Sequence, residues 1–145
     1  MRLWHYELIP FLPQSQLIAQ WRELNSIFKK QDKHILINYI YEYPEEDLLG
    51  YTYLVLEEMQ KRNIKIKSVD NCIYYFGSKF LNDKIKVTCK PFKNHHNNRY
   101  LLQCFYNLQE KYDRGQKDFI KGMYNKMCDY VSIETLTEEL DNYAM

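Results

Sequence analysis

Among the charged residues, histidines and cysteines of this 145-residue chain, one adjacent pair has types that could work together. Arg22 and Glu23 are adjacent, a guanidinium that can grip an anion beside a carboxylate that can shuttle a proton. Around Leu17, Trp21, Leu24 and Phe28 as an apolar helical stripe, they fall at about +140° and −120°, away from the core side. Periodicity alone therefore makes them two solvated charges. Four cysteines, Cys72, Cys89, Cys104 and Cys128, lie 17, 15 and 24 residues apart with no CxxC pair, so packed small hydrophobes are expected rather than a zinc site or disulfides. His95 and His96 are adjacent on a loop, which is poor spacing for ligating one ion. A Cys89, Cys104 and His96 cluster is the one metal alternative the spacing leaves open. Gly-rich phosphate loops, GxSxG and HExxH are absent.

Charge is unevenly distributed. Net charge is +1, yet residues 60–99 hold ten Lys or Arg against Asp70 and Asp83. The first 59 residues carry five positive and nine negative charges, and the last 14 residues add four negative ones. Tyr74, Tyr75, Phe76, Phe80 and Phe92 interleave with the basic stretch, a pattern that suits phosphate contact and base stacking, though a solvated lysine-rich face has the same composition.

Five elements would position these groups. Pro10 and Pro13 precede a first helix, with Ser15 as its cap. A second helix opens at Pro44, with Glu45, Glu46 and Asp47 matching its N-terminal dipole. It buries Leu48, Leu49, Thr52, Val55, Leu56 and Met59 despite Gly50. A third is predicted from about Asn98 to Arg114, stopped by Gly115, and a fourth from about Gln116 to Cys128. Thr135-x-x-Glu138 reads as a capping box for a separate tail helix, which Ser132 could start earlier. Residues 34–41 read as a strand or a buried extended connection, and Cys72–Phe76 and Lys84–Cys89 read as extended. The expectation is one mainly α domain over residues 1–145, a compact helical bundle with long loops and room for a short extended or hairpin segment around 72–90. No run of 18 apolar residues exists and Leu8–Leu12 is broken by Pro10, so neither a membrane span nor a secretory signal is expected, and the cytoplasm is the expected location. Trp4 and Trp21 are expected in the core.

Met1-Arg2-Leu3, the prolines and Leu12, then Leu17-Ile18-Ala19-Gln20-Trp21-Arg22-Glu23-Leu24 and Phe28, resemble the opening of the pyrimidine-dimer DNA glycosylase (endonuclease V) family. The MRLWH start is similar to a bacterial and phage branch of it. Weaker likeness continues at Tyr51–Arg62 and His96–Arg114. The resemblance implies a DNA repair glycosylase with abasic-site lyase activity by β-elimination, acting on double-stranded DNA that is damaged or abasic, with no cofactor and no metal; the sequence leaves the oligomeric state open, with a monomer favoured. The α-amine of Met1 would attack sugar C1′ to form a Schiff base, and Glu23 would be the assisting carboxylate. Arg2, Arg22, Lys33 and His34 would contact DNA, and His5 is near enough to the terminus to influence the amine.

The chemistry suits those groups. An α-amine titrates near about 7.7, so part of it is a free nucleophile at neutral pH, whereas a lysine at about 10.4 needs strong desolvation. Met1 is expected to be retained because Arg2 is too large for methionine removal. Gln16 stands where the family's best-known member has a histidine, and Ser26 where it has another DNA-contacting arginine. Its aromatic tail has no counterpart here. The alternatives are a non-catalytic DNA-binding protein of the same fold and a phage-derived interaction module.

Overall fold

The first long helix, α1 (Gln14–Lys30), buries Leu17, Leu24, Ile27 and Phe28, the stripe its periodicity predicts. Trp21 is only partly buried at its edge. The computed structural model describes residues 2–144, with side chains to residue 140. Pro13, not Ser15, occupies the N-cap. Proline has no side-chain acceptor, so the free N–H groups of the first turn are met from elsewhere. Gln14 N–H donates to the Asp118 carbonyl at 3.1 Å, and Ser15 N–H donates to the Asp118 carboxylate at 2.7 Å. The helix ends at Gln31, whose left-handed φ of 49° turns the chain away.

Helix α2 (Glu45–Lys61) follows with its acidic first turn and buries Leu48, Leu49, Tyr51, Thr52, Val55 and Met59. Gly50 costs helix propensity but has a purpose: a Cβ there would lie 2.4 Å from the Thr88 carbonyl oxygen, so only glycine lets the 84–91 loop cross the helix. At the other end Arg62 pairs with Glu58 at 2.8 Å and donates to the Leu12 and Pro10 carbonyls, fastening α2 to the Tyr6–Phe11 3-10 helix.

The segment read as extended at Cys72–Phe76 is instead helical. In α3 (Asp70–Phe76) Cys72 and Phe76, four residues apart, both face inward, and Phe28 packs on Tyr75 and Phe76. Aromatic and β-branched residues signalled strand, but burial of a one-turn apolar pair against α1 decided for helix. Lys84–Cys89 is irregular loop, and residues 34–41 form a turn leading into a 3-10 helix at Asn38–Glu42, so no strand occurs among the described residues.

Helix α4 (Asn98–Asp113) is capped by Asn97, whose side chain accepts from the Tyr100 N–H, and buries Leu101, Cys104, Phe105 and Leu108. Residues 116–122, expected to begin a fourth helix, remain non-helical while Asp118 caps α1. The chain then runs through Met123–Ala144 as α5. The tail capping box does not form: the Thr135 and Thr137 hydroxyls donate back to the Val131 and Ile133 carbonyls, bonds made inside a continuing helix. Leu3, Trp4, Leu8, Ile9 and Leu12 are buried, and the Tyr6–Phe11 3-10 helix packs against α2, α4 and α5, so residues 3–12 form part of the core. The mainly α expectation holds, and no described helix is long and apolar enough to cross a membrane.

Candidate active site

Residues 2–4 run beside α1, and one buried side chain holds them there. The Gln20 oxygen accepts from the Trp4 N–H at 2.8 Å, while its amide nitrogen donates to the Arg2 carbonyl at 3.1 Å and the Glu23 carboxylate at 3.2 Å. The Tyr51 hydroxyl, from α2, lies 2.6 Å from the Trp4 carbonyl and 2.9 Å from the Gln20 oxygen, with one proton to divide between them. From α4 the Tyr100 hydroxyl donates to the Leu3 carbonyl. Three helices thus clamp the first residues through their backbone.

That clamp changes what Glu23 is. The helical wheel made it a solvated charge, yet the N-terminal segment folds over it and leaves it half-buried. Burial raises its pKa above the ordinary glutamate value, partly offset by hydrogen bonds from the Arg2 backbone and the Gln20 side chain. Glu23 faces a cleft of about 230 Å³ lined also by Arg2, Trp4, Gln16, Leu36, Asn107 and Lys111. The Arg2 guanidinium sits 5.9 Å from the Trp4 ring centroid, a cation–π arrangement, and both side chains line the cleft. Gln16 is tethered at 3.1 Å to Gln116, which in turn donates to Ser15. Chemically the cleft offers one carboxylate suited to proton transfer and two cations suited to phosphate.

The candidates named from sequence divide accordingly. Arg2 and Glu23 come together. Arg22 points to a second cleft of about 680 Å³, shared with Trp21, Lys29, Lys65 and Lys67, because adjacent helical residues diverge by about 100°. Lys33 lies in a third groove of about 760 Å³ with Lys29 and Lys30. His34 is exposed and accepts from the Leu36 N–H at 3.2 Å, joining the cleft only through Leu36. Met1 lies outside the described residues. Trp4 is buried as expected, and Trp21 is a wall of the second cleft.

Sequence reasoning passed over Gln20, Tyr51, Tyr100, Asn107 and Lys111. Gln20 left a signal: it falls about 60° from the centre of the apolar stripe, where a polar side chain needs a buried partner. The tyrosines and Lys111 come from distant helices and left none.

The histidines serve structure. His5 accepts from the Glu7 N–H at its Nδ1, so its Nε2 donates to the His96 carbonyl at 2.9 Å. His96 accepts from the Tyr6 N–H at Nδ1, so its Nε2 donates to the Tyr39 oxygen at 2.7 Å. Both are buried and neutral: desolvation lowers His5 to about 4, against a weaker opposing hydrogen bond, and lowers His96 well below the usual value. With both His96 nitrogens engaged, the Cys89, Cys104 and His96 cluster does not assemble, and no group of three metal-ligating residues occurs among those described.

Fold and site define an all-helical protein that closes its own N-terminal segment over a half-buried glutamate in a cationic cleft. Residues 1–71 match the family model described as pyrimidine dimer DNA glycosylase. The resemblance carried by the first 28 residues is thereby borne out and extends through α2, taking in Arg2, Gln20, Glu23 and Tyr51 but not Tyr100 or Lys111. No curated protein and no solved structure matches the chain.

Proposed function

We propose that the protein is a DNA repair glycosylase with abasic-site lyase activity, and that Met1 and Glu23 carry the chemistry. The α-amine of Met1 attacks C1′ of the damaged nucleotide, the C1′–base bond breaks and the base leaves with a proton. The nitrogen gives up a proton, its lone pair forms the C1′=N bond as the C1′–O4′ bond breaks, and O4′ takes a proton, leaving a cationic imine with the opened sugar. A base removes the C2′ proton, the electron pair forms a C2′–C3′ double bond, and the 3′ phosphate leaves. Glu23 stabilises the cationic imine and takes the C2′ proton. Its raised pKa fits a group that must accept a proton and give it up near neutral pH.

The single observation that carries this reading is the Gln20 amide nitrogen, which donates to both the Arg2 carbonyl and the Glu23 carboxylate and so brings the two residues together. Only three covalent bonds separate the α-amine from the Arg2 nitrogen, a tether short enough for amine and carboxylate to act on one sugar. Arg2 and Lys111 grip phosphate at the cleft. Arg22, Lys29, Lys65 and Lys67 extend the contact along the backbone, with Lys33 and His34 beyond them. The abasic-site intermediate and the damaged duplex are the substrates.

Borohydride trapping on DNA containing an abasic site tests the reading. A covalent adduct is expected with a free N-terminus. No adduct, or strand cleavage undiminished in Glu23→Gln, would overturn it. The rival reading, a DNA-binding protein without catalysis, draws on the same lysine-lined clefts and predicts salt-dependent binding with no adduct.

A further inference from the structure

The turn after α1 displays apolar side chains where solvent should favour polar ones. Ile35 is 79% exposed and Leu36 44% exposed, next to Lys33 and His34 in a loop of otherwise polar character. An exposed branched aliphatic on a floppy loop would be unremarkable, but this loop is braced. His34 N–H donates to the Asp32 carboxylate at 2.9 Å, and the His34 ring accepts from the Leu36 N–H. The His34 carbonyl accepts from both Ile37 and Asn38 N–H groups, and the Tyr41 hydroxyl donates to the Asp32 carbonyl. Ile37, immediately behind, is fully buried and anchors the turn in the core.

Its position is as informative as its stiffness. Leu36 forms part of the wall of the Glu23 cleft, so Ile35 stands at the rim. Two residues before it, Lys33 lines the groove of Lys29 and Lys30, where Asp32 is the one acidic lining residue. A stiff apolar tip between a row of cations and a cleft holding a carboxylate complements one partner: a duplex whose phosphates meet the lysines and whose opened base step receives the aliphatic side chains.

We propose that Ile35 and Leu36 form a wedge that enters the base stack of duplex DNA beside the nucleotide being processed, filling the space it vacates and holding its sugar toward the Glu23 cleft. The inference rests on the glycosylase reading above and assigns that site its means of opening the double helix. Unstacking costs free energy on a duplex and almost nothing on a single strand, so a wedge acts on the first and is idle on the second.

Two readouts on Ile35→Ser test it. The substitution lies on an exposed side chain and leaves the bracing bonds in place. The first readout is the ratio of borohydride-trapping rates on abasic duplex and abasic single strand. It is expected to fall about tenfold in Ile35→Ser, the scale of one lost side chain's share of an unstacking cost, and to be preserved in Ile35→Met. The second needs no catalysis: 2-aminopurine fluorescence next to a tetrahydrofuran abasic analogue in a duplex should rise when the native protein binds and rise much less with Ile35→Ser. An unchanged fluorescence response in Ile35→Ser would overturn the wedge whatever the trapping shows. If the native protein traps nothing yet raises fluorescence in an Ile35-dependent way, the wedge stands and the lyase reading falls.

Discussion

The Gln20 amide nitrogen stands 3.2 Å from the Glu23 carboxylate and 3.1 Å from the Arg2 carbonyl, so one side chain on α1 sets both the position of the chain start and the setting of the carboxylate beside it. Gln20→Leu would fill the same space but leave the Trp4 N–H without a partner in a dry core, while the Tyr51 hydroxyl keeps the Trp4 carbonyl. We expect a loss of about 2–3 kcal/mol in urea unfolding. Gln20→Glu keeps the acceptor toward Trp4 and Tyr51 but sets a second carboxylate against Glu23. Its pH–rate profile for strand cleavage should have an acid limb displaced to higher pH, a change that loss of packing alone would not produce.

Glu23→Gln should separate activity from stability. Cleavage of abasic DNA should fall about 10²–10⁴-fold. The raised carboxyl pKa means that the folded state prefers the protonated form, so ionisation near neutral pH weakens folding and acid relieves it. The neutral variant should therefore unfold at a temperature equal to or above the native one at pH 7, and the two should converge as pH falls below the ordinary glutamate range. A native protein clearly more stable than Glu23→Gln at pH 7 would contradict the assigned protonation preference.

The histidine pair should give the opposite slope. His5 and His96 bind protons less readily folded than unfolded, so their contribution is complete above about pH 6.5 and is lost as pH falls from there toward the folded value, about 4 for His5. Each contributes up to about 1.4 kcal/mol of lost stability per pH unit in that window. Chemical denaturation at stepped pH values would measure the slope, and a flat profile between 6.5 and 4 would refute it.

Blocking the terminal amine tests Met1 directly. A tag that converts the amine to an amide should abolish borohydride trapping, and proteolytic release of a free amine at that position should restore it. Persistence of the adduct in the tagged protein would move the nucleophile to a lysine.

Gly50→Ala should destabilise the protein although alanine favours helices by about 1 kcal/mol over glycine. The added carbon would sit 2.4 Å from the Thr88 carbonyl, and moving that backbone costs about 1–3 kcal/mol. A rise in melting temperature would show that the 84–91 loop yields easily.

The sequence was most legible where side-chain spacing and local caps sufficed. Helices α1, α2 and α4 carry their stripes openly, and Pro44 and Gly115 mark boundaries to within a residue or two. α3 was hidden because its seven residues are rich in strand formers and only contact with Phe28 makes them helical. Residues 116–122 read as helix because nothing local reveals that Asp118 serves α1. Within the site, Arg2 and Glu23 emerged from resemblance, whereas the half-burial of Glu23 depends on a segment lying across it. Lys111 and Tyr100 reach the site from α4, beyond the range of any local pattern.

The bond from Tyr100 to Leu3 joins residues 97 apart, and that from Asp118 to Ser15 joins residues 103 apart. Helix α1 is synthesised early, but its first turn is completed, and the chain start pinned, only after most of the polypeptide has left the ribosome. A nascent chain holding all of residues 1–71 would own the glutamate with Gln20 and Tyr51 but lack the Tyr100 arm of the clamp and the Asp118 cap. The cleft around Glu23 would then reach its final form late in folding, once α4 and residue 118 have joined the fold.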